Sequence, residues 1–130
     1  MELKTGTKGL RTWTVTPERT AAQVGSGTVA VFATPMMVAL IEQTCMLSVA
    51  PYLAEGLGTV GTQVNVSHTA ATPVGMEVTA ESELTEIDGR RLVFRVTVRD
   101  DGGLIGNGTH ERFIIDTGRF QEKADKKRNR

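Results

Sequence analysis

Residues 34–51, TPMMVALIEQTCMLSVAP, constrain this chain more than any other stretch. Thr34 is placed to cap a helix with its hydroxyl, Pro35 suits a first helical position, and Pro51 ends the run. The side chains between them are apolar on nearly every side, which predicts a core helix that the rest of the chain must wrap. Its length of about 24 Å suits a small domain and falls short of a bilayer.

Glu42 breaks the pattern. It is the only charged residue between Arg19 and Glu55, and its helical neighbours at i±3 and i±4 are Val38, Ala39, Cys45 and Met46. A carboxylate there destabilises unless it is paired, hydrogen-bonded or protonated. Two readings stay open: a short stem that lets the head reach solvent at a groove, or a functional carboxylate.

The 130 residues suit one domain able to bury roughly two-thirds of its unfolded surface. We expect that domain to span residues 1–116, with 117–130 as a basic, flexible tail holding six Lys or Arg. Fifteen basic and fifteen acidic residues cancel, so nothing in the net charge points to nucleic acid. The single Cys45 allows no internal disulfide and no cysteine metal cluster. With neither an apolar leader nor a run of about 20 apolar residues, a cytoplasmic protein without membrane contact is expected.

Most of the chain reads as strands. Residues 11–16 alternate around Trp13 and Val15, and residues 28–33 form a short strand or a wall before the helix. In residues 60–68, Thr62, Val64, Val66 and His68 share one face. Met76, Val78, Ala80, Ser82 and Leu84 then alternate with glutamates. Asp88-Gly89 signals a hairpin, and Leu92, Phe94, Val96 and Val98 alternate with arginines. The acidic outer face of one strand meets the basic outer face of the next. A last strand carries His110 and Arg112 on one face. One apolar helix wrapped by a long antiparallel meander is an α+β architecture of hotdog type. The open edge at residues 60–68 suggests pairing with a second copy.

The chemistry-bearing residues are few. His68 precedes the small-residue cluster Thr69-Ala70-Ala71-Thr72-Pro73, which leaves room for a ligand, while His110 and Arg112 read on spacing alone as structural. Two histidines and Glu42 lack metal-ligand spacing, so no metal and no cofactor is expected. There is neither a glycine-rich phosphate loop nor a serine nucleophile elbow.

Several separated blocks carry a family resemblance: Val31-Phe32-Ala33-Thr34, Ala50-Pro51-Tyr52-Leu53, Gly61-Thr62, His68-Thr69-Ala70-Ala71-Thr72-Pro73, Asp88-Gly89-Arg90-Arg91-Leu92 and Gly108-Thr109-His110-Glu111-Arg112. In order and spacing they resemble the fluoroacetyl-CoA thioesterase-like family of hotdog thioesterases. The chain departs from that pattern at Pro35, Met36, Gln43 and Met46. The resemblance implies a homodimer, an acyl-CoA substrate at the subunit interface, and a catalytic set of Thr34, Glu42 and His68. It places Gly61, Phe32 and Arg112 in the substrate-binding set. The residue types fit without it, since thioester hydrolysis needs a group to activate water or attack the carbonyl, and Glu42 is a base or nucleophile in reach of that task. The amides at the helix start would favour an oxyanion. Alternatives of the same fold are an enoyl-thioester hydratase or dehydratase and a non-catalytic acyl-CoA-binding dimer.

Overall fold

The structure is a computed structural model and describes residues 2–129; Met1 and Arg130, the outermost residues of the expected domain and tail, lie outside the described residues. In chain order the elements are β1 (Lys8–Thr14), a 3-10 turn (Pro17–Arg19), the one-turn α1 (Ala21–Val24), α2 (Thr34–Val49), a 3-10 turn (Ala50–Tyr52), β2 (Leu57–His68), β3 (Glu77–Asp88), β4 (Arg91–Asp100), β5 (Gly103–Asp116), α3 (Thr117–Asp125) and a last 3-10 turn (Lys126–Asn129). The five strands form one antiparallel sheet in the order β1-β3-β4-β5-β2, and α2 packs across its inner face.

The alternation in β3 and β4 does what the period of two requires. Val78, Ala80, Leu84, Leu92, Phe94, Val96 and Val98 all face α2 and are buried. On the outer face Arg95 pairs with Glu83 at 2.7 Å and Arg91 with Glu86 at 2.9 Å, the acid-against-base pairing expected from the sequence. From α2, Met37, Leu40, Ile41, Cys45 and Val49 press onto this face. Each large side chain so buried contributes about 1.5–3 kcal/mol. Gly9 in β1 allows the closest approach, because a Cβ there would stand 2.8 Å from the Thr44 carbonyl oxygen.

Three expectations change. The helix is not buried all round: Val38, Ala39, Glu42 and Gln43 are half-buried, and Met46 and Leu47 are exposed, because one sheet covers one face. Thr34 is the first helical residue rather than the cap, a position taken by Ala33, which has no side-chain oxygen to accept a hydrogen bond. Residues 117–125, expected as flexible tail, form α3, started by the Asp116 carboxylate accepting the Arg119 amide at 3.0 Å. Residues 28–33 are the wall rather than a strand, touching Thr20 and Pro73 through isolated bridges. No described helix is long and apolar enough to cross a membrane.

Candidate active site

Two polar clusters lie along β2. The first joins the start of α2 to the end of the strand, where the Thr34 hydroxyl is 2.7 Å from His68 Nδ1. Freed from capping, that hydroxyl turns to the imidazole. Phe32 is buried and meets the His68 ring edge-on at 6.4 Å between centroids. His68 Nε2 is buried with no partner among the described residues. Burial pulls the His68 pKa down from its ordinary value, against an opposing backbone contact from Ala70, so the ring favours its neutral form. A cavity of about 290 Å³ opens here, lined by Phe32, Thr34, His68 and the small residues Thr69, Ala70 and Ala71. Pro35 has no amide hydrogen, and the Met36 and Met37 amides both bond to the Ala33 carbonyl. Thr34 N–H alone in that turn is without a partner among the described residues.

The second cluster is built around Arg112, only 5% exposed. Its Nε donates to Thr59 Oγ1 and its Nη2 to the Thr59 carbonyl, both at 2.8 Å. Nη1 lies 3.2 Å from His110 Nε2 and 3.4 Å from Glu42 Oε2. His110 Nδ1 sits 2.8 Å from the Gln63 carbonyl oxygen, which can only accept, so Nδ1 carries the hydrogen and Nε2 accepts from Arg112. Burial, then the Arg112 charge, hold the His110 pKa below its ordinary value. Burial also lowers that of Arg112, with Glu42 opposing. Glu42 keeps 41% of its side chain exposed. Its carboxylate is thus both part-exposed and paired with Arg112.

Gly61 lets this cluster pack against β2. The β2–β5 register shifts between Gly61 and Gln63, setting Gly61 across from Arg112 and Val64 across from His110. Plain alternation from Val64, Val66 and His68 would turn Gly61 outward; the bulge turns it inward. A Cβ there would stand 2.5 Å from Glu42 Oε2 and 3.3 Å from Arg112 Nη1.

The expected residues thus fall into two groups, Thr34, His68 and Phe32 in one and Glu42, Gly61 and Arg112 in the other. Within one chain they stay apart: Thr34 and Glu42 are separated by about 12 Å of helix rise, Gly61 and His68 by about 23 Å of strand. Sequence reasoning missed Thr59 and the part played by His110. The two-residue spacing of His110 and Arg112 was the available signal. Among the described residues no group of three His, Cys, Asp or Glu could hold a metal ion.

Residues 15–118 match the family described as fluoroacetyl-CoA-specific thioesterase. The chain belongs to that family. It is 48% identical over 97 residues to the fluoroacetyl-CoA thioesterase of Streptantibioticus cattleyicolor, covering 75% of this chain and 70% of that protein. The solved structure of the fluoroacetyl-CoA thioesterase FlK superposes with a TM-score of 0.93 at 38% identity, covering 98% of both chains. A hot-dog-like protein from Thermanaerovibrio acidaminovorans shares the fold, with a TM-score of 0.86 at 20% identity over 96% of this chain and 93% of that one. The α+β hotdog architecture expected from the sequence is the one found. The family's thioester chemistry also agrees with the residue types present, hydroxyl and imidazole in one cluster, carboxylate and guanidinium in the other.

Proposed function

We propose that the protein hydrolyses a short acyl-CoA thioester to free acid and CoA, and that it does so as a cytoplasmic homodimer. The observation that carries this is the division of the reactive groups between the two ends of one edge strand. β2 has a free edge, and none of its 12 residues is buried in the single chain. Pairing two such edges antiparallel about a two-fold axis near residues 64–65 sets Gly61 of one subunit against the end of the partner's β2. Glu42, Gly61 and Arg112 of one subunit then face the Thr34–His68 pair of the other. The half-exposed side of α2 gains a cover by the same step.

In that arrangement Glu42 takes a proton from water as the water oxygen bonds to the thioester carbon. With His68 Nδ1–H donating to Thr34 Oγ1, the hydroxyl hydrogen turns to the carbonyl oxygen, beside the Thr34 amide, and both stabilise the oxyanion. Collapse breaks the C–S bond, and the proton held by Glu42 passes to the leaving thiolate. Arg112, fixed by Thr59 and His110, holds the Glu42 carboxylate in place, and the missing side chain at Gly61 lets that carboxylate sit against the strand.

A panel of short acyl-CoA esters assayed with a thiol reagent tests the reaction. Thiol release is expected; loss of enoyl absorbance without thiol would favour a hydratase. Mixing Glu42→Gln with His68→Ala protein tests the shared site. Mixed dimers hold one intact site, so random exchange restores about a quarter of wild-type activity, whereas sites confined to single chains restore none.

A further inference from the structure

We propose that Arg90, Arg119 and Lys123 bind the phosphates of coenzyme A, and that the neighbouring apolar groove between Met46, Thr59 and Phe120 takes the pantetheine arm. This rests on the acyl-CoA reading above and deepens it. The groove, about 480 Å³, begins at Met46, one helical turn after Glu42, and at Thr59, whose hydroxyl and carbonyl hold Arg112. It passes Leu57 and Ile115 to Phe120 of α3, whose ring is 47% exposed. Those same three residues form one wall of a second pocket, of about 300 Å³, ringed by Arg90, Arg119 and Lys123. The two cavities thus adjoin across a shared wall, the first mostly apolar and the second ringed by cations. Coenzyme A has that polarity: a long, weakly polar arm and a nucleotide bearing three phosphates.

The cations are available. Among the described residues none of the three forms an ion pair, whereas Arg91, Arg95, Arg99, Arg112, Lys126 and Arg128 all do. Asp116 is the one carboxylate at the pocket, and its Oδ1 is occupied by the Arg119 amide at the start of α3. The reach is suitable, since Arg112 and Asp116 lie four residues apart on β5, about 13 Å. Phe120, exposed where the groove meets the cations, offers a flat face to the nucleotide base. The helical fold of residues 117–125 sets Arg119 and Lys123 one turn apart on a common face.

The test compares Arg119→Ala/Lys123→Ala protein with wild type on acetyl-CoA and on S-acetyl-N-acetylcysteamine, a thioester without phosphates. Losing charge-assisted contacts is expected to raise KM for acetyl-CoA about tenfold or more. kcat/KM for the phosphate-free thioester is expected to stay within about twofold, as that substrate has nothing for either residue to hold. Added salt should raise the wild-type KM for acetyl-CoA and not that of the variant. An unchanged KM for acetyl-CoA, or an equal loss on both substrates, overturns the assignment. Calorimetry with adenosine 3′,5′-bisphosphate reads the pocket without turnover: binding by wild type but not by the variant supports it even if neither thioester is hydrolysed, in which case it is the hydrolytic reading that falls. No binding by wild type, as when the partner subunit fills the groove, overturns it.

Discussion

The two halves of the sheet are built on opposite terms. β3 and β4 present α2 with Val78, Ala80, Leu84, Leu92, Phe94, Val96 and Val98, an apolar surface interrupted by the buried Ser82. β5 and β2 present the same helix with His110, Arg112, Thr59 and the side-chain-free Gly61, and β2 buries nothing fully. One helix thus has a face fixed by packing and a flank left to polar groups and an open groove. The apolar half supplies stability, and the polar half holds the groups of the proposed site, which packing alone would not select.

The contrast is broken most sharply by exchanging charge for shape at Glu42. Glu42→Gln keeps volume and can still accept a hydrogen bond from Arg112, so we expect kcat to fall by about 10²–10⁴-fold. The carboxylate is 41% exposed and its pair with Arg112 is 3.4 Å long, so stability should change by less than about 1 kcal/mol. Thiol-release kinetics beside a urea melt reads both. Early melting with activity per folded molecule retained would assign Glu42 to the structural half instead.

Phe94→Ala is the converse. Phe94 is fully buried and stacks beside His110 at 6.3 Å between centroids. Its truncation should cost about 3–5 kcal/mol of stability, seen as a lower urea midpoint. Because its ring also supports His110, a modest activity loss in the folded fraction is allowed, but one as deep as that of Glu42→Gln would dissolve the distinction between the halves.

How far this division was legible depends on the physics of each half. In β3 up to Leu84 and along β4 the inward residues follow a period of two, which a sequence displays directly. The residues of the proposed site stood out as well, Glu42 because it interrupts an apolar run and His68 because it ends a strand beside small residues. What the sequence hid was position. A bulge at Gly61–Gln63 shifts the alternation and brings Gly61 inward, and bulges leave no periodic trace. Thr34 looked like a cap because capping is local, whereas its actual partner His68 is 34 residues away. Arg112 reaches Glu42 across 70 residues; a cation sharing a strand face with a histidine, opposite the lone anion of α2, was a usable hint. α3 was readable too, since Asp116 precedes Arg119 at capping distance, but the charge count drew attention away from it.

Gly61→Ala sharpens the comparison at the groove. The added Cβ would stand 2.5 Å from Glu42 Oε2, so the carboxylate must move. Gly61 has no positive φ, so the backbone tolerates alanine. A displacement of about 1 Å in a catalytic group costs on the order of 10²-fold, and kcat/KM should fall by that much while the melting midpoint holds. A fully active Gly61→Ala enzyme would mean that Glu42 does not act from its observed place.

The smallest expected effect is on pH. His68 and His110 both have pKa values held below the ordinary 6.5, in each case chiefly by burial. In the unfolded chain each would bind its proton near that ordinary value, so below about pH 6.5 the unfolded state takes up more protons than the folded one. The stability these neutral rings contribute is therefore fully present above about pH 6.5 and is lost as pH falls through their folded values. For His110 the cause is specific, because a proton on Nε2 would face the Arg112 guanidinium at 3.2 Å. His110→Gln, which keeps an acceptor but cannot titrate, should flatten the acid side of the stability profile relative to wild type while leaving stability at pH 8 within about 1 kcal/mol. Urea midpoints measured from pH 5 to 8 decide it. Parallel profiles for the two proteins would show that His110 does not titrate in this range, leaving the polar half without the acid sensitivity that separates it from the apolar one.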